Sequence, residues 1–368
     1  MMLTEKKFYG LLLVALLIVL APHGLTAYKA HDNDYDSEQF LLTYPETQGS
    51  KLDNCYLCHT GGQLGKKYLN SCEYCHDVYG LKPPYGDSKQ TLNSYGLAYL
   101  EAGRSLEACL RIGGLDSDGD GFTNEEEIKA GRLPGDKDDN PTTPEAPAVL
   151  YTREKLRSLP RTQQFMALDT AKSGDYYTEY VGVDVWTLLK DAGVRKDATD
   201  ITVFAADGYS MSFDLADIKR KYPQGQFWSK FPWIGFPTNT RYQDGDKLPG
   251  TLKYLIAFER EGIPLQTSKI VVADDGRARL DGEGPYRLIS PLHQPVVPDR
   301  SQWSIDRDGP PYPYNPNRPV IRNADACIKS IVAIRVNTKD NKSFHYDWSG
   351  QAWKMIDNGE LVIYGAIK

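Results

Sequence analysis

The sequence predicts a multidomain chain: a small, mostly α-helical and irregular domain followed by a mixed α+β domain. Three observations carry that expectation. Residues 140–147, Asn-Pro-Thr-Thr-Pro-Glu-Ala-Pro, form a proline-rich connector expected to be extended and stiff. Before it, Gly61, Gly62, Gly65, Pro83, Pro84 and Gly86 break up any long helix or strand around two Cys-x-x-Cys pairs. After it, short apolar runs bounded by turn residues set a pattern of strands with a few helices. The expected boundaries are an export signal at 1–27, a first domain at 28–139, a linker at 140–148 and a second domain at 149–368.

The signal is expected from Lys6 and Lys7, an unbroken apolar run over 11–21, and the small-residue segment ending at Ala27. The run falls short of the ~20 apolar residues that span a bilayer, so no transmembrane anchor is expected in the mature chain. The protein is expected to be exported, to the periplasm or the cell exterior. A formal net charge of −6 argues against nucleic acid as a partner. Of the six cysteines, Cys109 and Cys327 lie outside the two pairs, and in an oxidising compartment they are candidates for a disulfide between the domains.

Cys55-Tyr56-Leu57-Cys58-His59 and Cys72-Glu73-Tyr74-Cys75-His76 both read C-x-x-C-H. Two thiols at that spacing add to the two vinyl groups along one porphyrin edge, and the next histidine supplies the proximal iron ligand. Two covalent haems are therefore expected, on Cys55 and Cys58 with His59, and on Cys72 and Cys75 with His76. The competing reading is a zinc ribbon with four thiolates around one metal. A histidine directly after each pair, and the lack of strand alternation around them, favour haem. His31 is the first choice for a distal ligand. His293, His345, Met166, Met211 and Met355 are the mature chain's other histidines and methionines outside the motifs, and the second distal ligand is left to one of these, to a tyrosine or amine, or to an open position.

Residues 116–127 match the twelve-residue calcium loop D-x-D-x-D-G-x5-E. Asp116, Asp118 and Asp120 supply carboxylates, Phe122 its carbonyl, Asn124 a side-chain oxygen directly or through water, and Glu127 a bidentate carboxylate. Gly121 makes the sharp turn, and 124–131 form the exiting helix. Gly113-Gly114 interrupts the chain before the loop, so a single structural calcium is expected rather than a paired sensor. Asp136, Asp138 and Asp139 form a further acidic run.

Residues 50–140 resemble periplasmic c-type cytochrome modules. The resemblance rests on a C-x-x-C-H segment, then Leu92-Asn93-Ser94-Tyr95-Gly96, then the Asp-Ser-Asp-Gly-Asp-Gly loop and an Asn-x-x-Glu-Ile helix. It implies an electron carrier with other redox proteins, such as cytochromes, as partners.

In the second half, 185–192 reads as a short amphipathic helix closed by Gly193. Strands are expected at 201–204, 255–259, 270–272, 286–289, 328–336 and 361–367. This half is similar to the molybdopterin-binding domain of the sulfite-oxidase family. The similar stretches are Gly182-Val183-Asp184-Val185-Trp186 with Leu188-Leu189, Asp207-Gly208-Tyr209-Ser210, Ala257-Phe258-Glu259, Gly262-Ile263-Pro264-Leu265 and Gly284-Pro285-Tyr286-Arg287-Leu288. The family's metal-binding cysteine, expected within 162–180, is missing, and no cysteine occurs between Cys109 and Cys327. Molybdopterin is therefore not expected, and the second domain is read as non-catalytic. Arg287, His293 and Arg300 are the residues that could hold an anionic group. Three readings stand: an electron-transferring dihaem cytochrome with a structural calcium; a molybdenum-cofactor oxidoreductase passing electrons to the haems; and a zinc-ribbon binding module.

Overall fold

The structure, a computed structural model, describes residues 35–60, 63–64, 67–68, 88–168, 176–227, 241–272, 278–292, 323–339 and 345–368. It is a mixed α+β protein. In chain order the helices are α1 (Tyr35–Thr43), α2 (Ser94–Glu101), α3 (Leu106–Ile112), α4 (Asn124–Lys129), α5 (Arg153–Ser158), α6 (Val185–Asp191), α7 (Leu215–Lys219) and α8 (Ala352–Asn358). Helices this short are not stable alone in water, so caps and packing must hold them. Three of the four upstream helices carry a side-chain cap: Asn93 accepts the Gly96 N–H, Ser105 the Ala108 N–H, and Thr123 forms a capping box with Glu126. They close over one core built from Phe40, Tyr44, Leu52, Leu57, Tyr95, Tyr99, Ile112, Ile128 and Leu133.

Downstream, the main strands are β1 (Ala148–Tyr151), β2 (Arg161–Leu168), β3 (Tyr176–Asp184), β4 (Ala198–Ala205), β5 (Ser210–Asp214), β6 (Leu255–Arg260), β7 (Ile263–Pro264), β8 (Lys269–Val272), β9 (Ala278–Asp281), β10 (Arg287–Ile289), β11 (Ile331–Thr338) and β12 (Leu361–Gly365). One antiparallel sheet runs β7-β6-β3-β2, with β10 also paired to β6. The second runs β1-β12-β11-β4-β5, parallel only between β11 and β12. β8 and β9 form a separate hairpin.

Strand alternation sorts the side chains. On β12, Leu361 and Ile363 join the core shared with the first sheet, while Val362 and Tyr364 face α8 and Trp348. On β11 a register shift between Ile331 and Ala333 exchanges the faces, so Ile331, Ile334 and Val336 all reach the shared core. The helix expected at 185–192 is α6, capped by Asp184 and closed by Gly193 at φ +81°. All six expected strand segments fall on strands; β1, β2, β3, β5, β7 and β9 were not expected, and neither was the short antiparallel pair Gln63–Leu64 with Lys67–Tyr68 between the two C-x-x-C-H segments, where strand pairing was expected to be lacking.

Two expectations are corrected. The connector is not extended throughout. Asn140 Oδ1 accepts the Thr142 N–H at 3.0 Å, and the Thr143 N–H reaches the Asn140 carbonyl at 2.9 Å, so its first half is a turn. Cys109 and Cys327 are not bonded to each other. Cys109 sits in the upstream core and Cys327 in the core shared by the sheets, where its Sγ accepts the Ser290 N–H at 3.2 Å. Among the described residues no helix is long and apolar enough to cross a membrane.

Candidate functional site

The first C-x-x-C-H segment is held by the turn and helix that follow it in space. Cys55–Leu57 form a single 3-10 turn. The Asn93 N–H donates to the Cys58 carbonyl at 2.9 Å, and its amide donates to the Tyr56 and Leu57 carbonyls at 3.2 and 3.0 Å. The same side chain accepts the Gly96 N–H at 2.8 Å, so one residue caps α2 and carries the cysteine turn. A Cβ at Gly96 would lie 2.1 Å from the Cys58 carbonyl oxygen, so only glycine lets the helix approach this closely. Both residues belong to the Leu-Asn-x-Tyr-Gly stretch, which thus acts as a backbone cradle.

His59 is half-buried, and its Nδ1 lies 2.8 Å from Thr91 Oγ1. Burial holds its pKa below the ordinary 6.5, partly offset by a hydrogen bond with Thr91, which favours the neutral imidazole that a metal requires. With Nδ1 engaged, Nε2 is the nitrogen left for a metal. Cys58 is half-buried at the rim of the upstream core. These residues fit a covalently tethered haem with His59 as proximal ligand. Nothing in the sequence motif had singled out Thr91. Cys72, Cys75, His76 and His31 lie outside the described residues, as does the Cys55 side chain.

The acidic loop is ordered by its own first carboxylate. Asp116 Oδ1 accepts the Gly119 and Asp120 N–H groups at 2.8 and 3.2 Å, and Oδ2 accepts the Gly121 N–H at 2.9 Å. Those bonds hold its pKa low, the Gly121 bond most of all. Gly121 sits at φ +99°, the turn the motif requires. One oxygen each of Asp116, Asp118 and Asp120 lies within 4.8 Å of the others. Oδ2 of Asp118, Oδ2 of Asp120 and both Glu127 oxygens are buried without hydrogen-bond partners. Glu127 is 0% exposed, and burial pushes it up to about 9, with Asp118, Asp120 and Asp116 adding to the rise. Burial and then Asp120 raise Asp118 to about 6. Buried carboxylates without donors are costly, and a divalent cation is the group that would satisfy them together.

Asn124, expected to act on the cation directly or through water, also has a bracing role within the loop. It is 0% exposed; its amide donates to the Ile112 carbonyl at 2.7 Å and Ser117 Oγ at 2.8 Å, and its oxygen accepts the Ser117 N–H. It braces the loop. The entering side is also firmer than Gly113-Gly114 suggested: α3 runs to Ile112, and the Gly113 carbonyl accepts the Glu125 N–H at 2.9 Å.

The remaining candidates are placed elsewhere. Met166 is 0% exposed in the core shared by the sheets, with the Gln164 amide 3.6 Å from its sulfur. Met211 and Met355 pack on the downstream cores. His345 stands beside Asp136 and Asp139, at 3.2 and 3.7 Å. Asp139 is bound to Lys51 and Arg132, which makes it a structural node rather than a metal ligand. Arg287 is buried against Glu283 and donates to the Tyr180 hydroxyl at 3.2 Å, so its charge is already matched. His293 and Arg300 lie outside the described residues. No protein-family model matches this chain, and no curated protein matches it.

Proposed function

We propose that the protein is an exported dihaem c-type cytochrome that transfers electrons, with a structural calcium in its 116–127 loop. The observation that carries the reading is the cradle around the first C-x-x-C-H segment: Asn93 and Gly96 fix the Cys58 backbone, and Thr91 takes Nδ1 of a neutral His59. Cys55 and Cys58 would hold one haem with His59 on its iron; Cys72, Cys75 and His76 would do the same for the second. Each haem supplies a one-electron iron couple. The chain's own contribution is to fix the proximal imidazole and keep it unprotonated at neutral pH. Asp116, Asp118, Asp120 and Glu127 would hold the calcium. The α+β domain is read as a non-catalytic partner, because no cysteine replaces the missing family ligand and Arg287 is neutralised by Glu283.

A pyridine haemochrome spectrum of the exported protein, with iron, zinc and molybdenum quantified on the same sample, tests the reading. Two covalent haems per chain are expected, falling to one in the Cys55→Ala/Cys58→Ala variant. Zinc in place of haem would overturn the cytochrome, and stoichiometric molybdenum would overturn the silent second domain.

A further inference from the structure

The acidic loop is wired to the contact between the two regions. Past Glu127 the chain doubles back, and the Glu127 carbonyl accepts the Arg132 N–H at 2.7 Å. The Arg132 guanidinium then donates to Asp139 Oδ1 at 3.0 Å and to the Thr143 carbonyl at 2.7 Å. Asp139 is 0% exposed and also takes the Leu133 N–H at 3.0 Å and the Lys51 ammonium at 2.6 Å. Lys51 lies just upstream of the Cys55–Leu57 turn. On the other side, His345 places its two ring nitrogens beside Asp136 and Asp139, and its carbonyl accepts the Ala146 N–H at 2.9 Å. Arg132 therefore joins three things: the end of the acidic loop, the turn of the connector, and the carboxylate shared with Lys51 and His345.

The contact beyond this node is close. The Tyr56 ring lies 6.3 Å from the Phe204 ring and its hydroxyl 3.4 Å from Ser210 Oγ. A Cβ on Gly350 would come within 2.0 Å of the Gly49 carbonyl oxygen. Among the described residues no ion pair reaches Asp116, Asp118, Asp120 or Glu127, whereas the neighbouring Asp139 has two cationic partners. A cation in the loop would neutralise four crowded carboxylates and set the position of Glu127, whose backbone seats Arg132.

We propose that calcium in the 116–127 loop locks the α+β domain onto the upstream module through Arg132 and Asp139. This rests on the calcium reading of the loop. Isothermal titration of the full chain with calcium establishes whether the loop binds. Hydrogen exchange of peptides covering 133–147, with calcium or with a chelator, reads the lock. Exchange in wild type is expected to slow about tenfold or more on adding calcium. In Arg132→Gln, calcium should still bind while that slowing disappears. Asp118→Asn/Asp120→Asn should neither bind nor respond, and circular dichroism checks that each variant is folded. No calcium binding by wild type would overturn both readings. Binding without slower exchange, or an unchanged response in folded Arg132→Gln, would overturn the lock alone.

Discussion

Glu127 and Gly96 show how one side chain, or its absence, decides a site. Glu127 is fully buried among like charges, so without metal its proton is favoured in the folded state. Its folded pKa of about 9 exceeds the ordinary 4.5. Its contribution to the calcium-free protein is therefore fully present below pH 4.5 and is lost as pH rises towards 9. Urea unfolding in chelator should show stability declining across that window, and saturating calcium should flatten the decline. Calcium binding at pH 7 should also release about one proton, measured by titration in buffers of different ionisation enthalpy. Glu127→Gln should weaken calcium by about a hundredfold while raising the melting temperature of the calcium-free protein, two effects of opposite sign from one substitution. At Gly96 the added methyl of Gly96→Ala meets backbone rather than a movable side chain, and should cost about 1–3 kcal/mol in denaturant unfolding.

At the scale of elements, α2 depends on its cap more than an ordinary surface helix does. Asn93→Ala removes the cap and also strands the Tyr56 and Leu57 carbonyls. Its loss should exceed the ~1 kcal/mol expected of Ser105→Ala, which removes a cap and a bond to the exposed Glu107 but strands no carbonyl; parallel unfolding curves make the comparison. The same logic explains what could be read in advance. β11 and β12 are apolar runs, and the acidic loop announces itself by charge and glycine spacing. β2 and β3 were hidden because polar residues inside them are buried and satisfied from far along the chain. Gln164 exchanges hydrogen bonds with the backbone of Lys253, and Thr178 Oγ1 donates to Glu261. Asn124 fits its loop position by type, but its bracing bond to the Ile112 carbonyl could not be read, because that carbonyl comes from the preceding helix. Thr91 was invisible for a related reason: only the folded turn brings it to His59.

For the molecule as a whole, Tyr56 packs against both the upstream core and the core beneath α8. That double contact should couple the two regions in unfolding. A single calorimetric transition is expected for wild type in calcium, with Tyr56→Ala separating it into two. The coupling could not be read from the C-x-x-C-H motif, in which Tyr56 occupies an unspecified position.

The placement of β12 bears on the order in which the protein can form. This strand lies inside its sheet, pairing Leu361 with Tyr151 on one side and Val362 with Ala333 on the other. While the chain emerges, β1 therefore waits as an unpaired edge for a partner far downstream, a slow long-range closure. The upstream module draws its core from residues 40–133 and has no such wait. It can be compact, with Gly96 already seated on Cys58, before the second sheet closes, so the turn that carries Cys58 is set while the rest of the chain is still arriving.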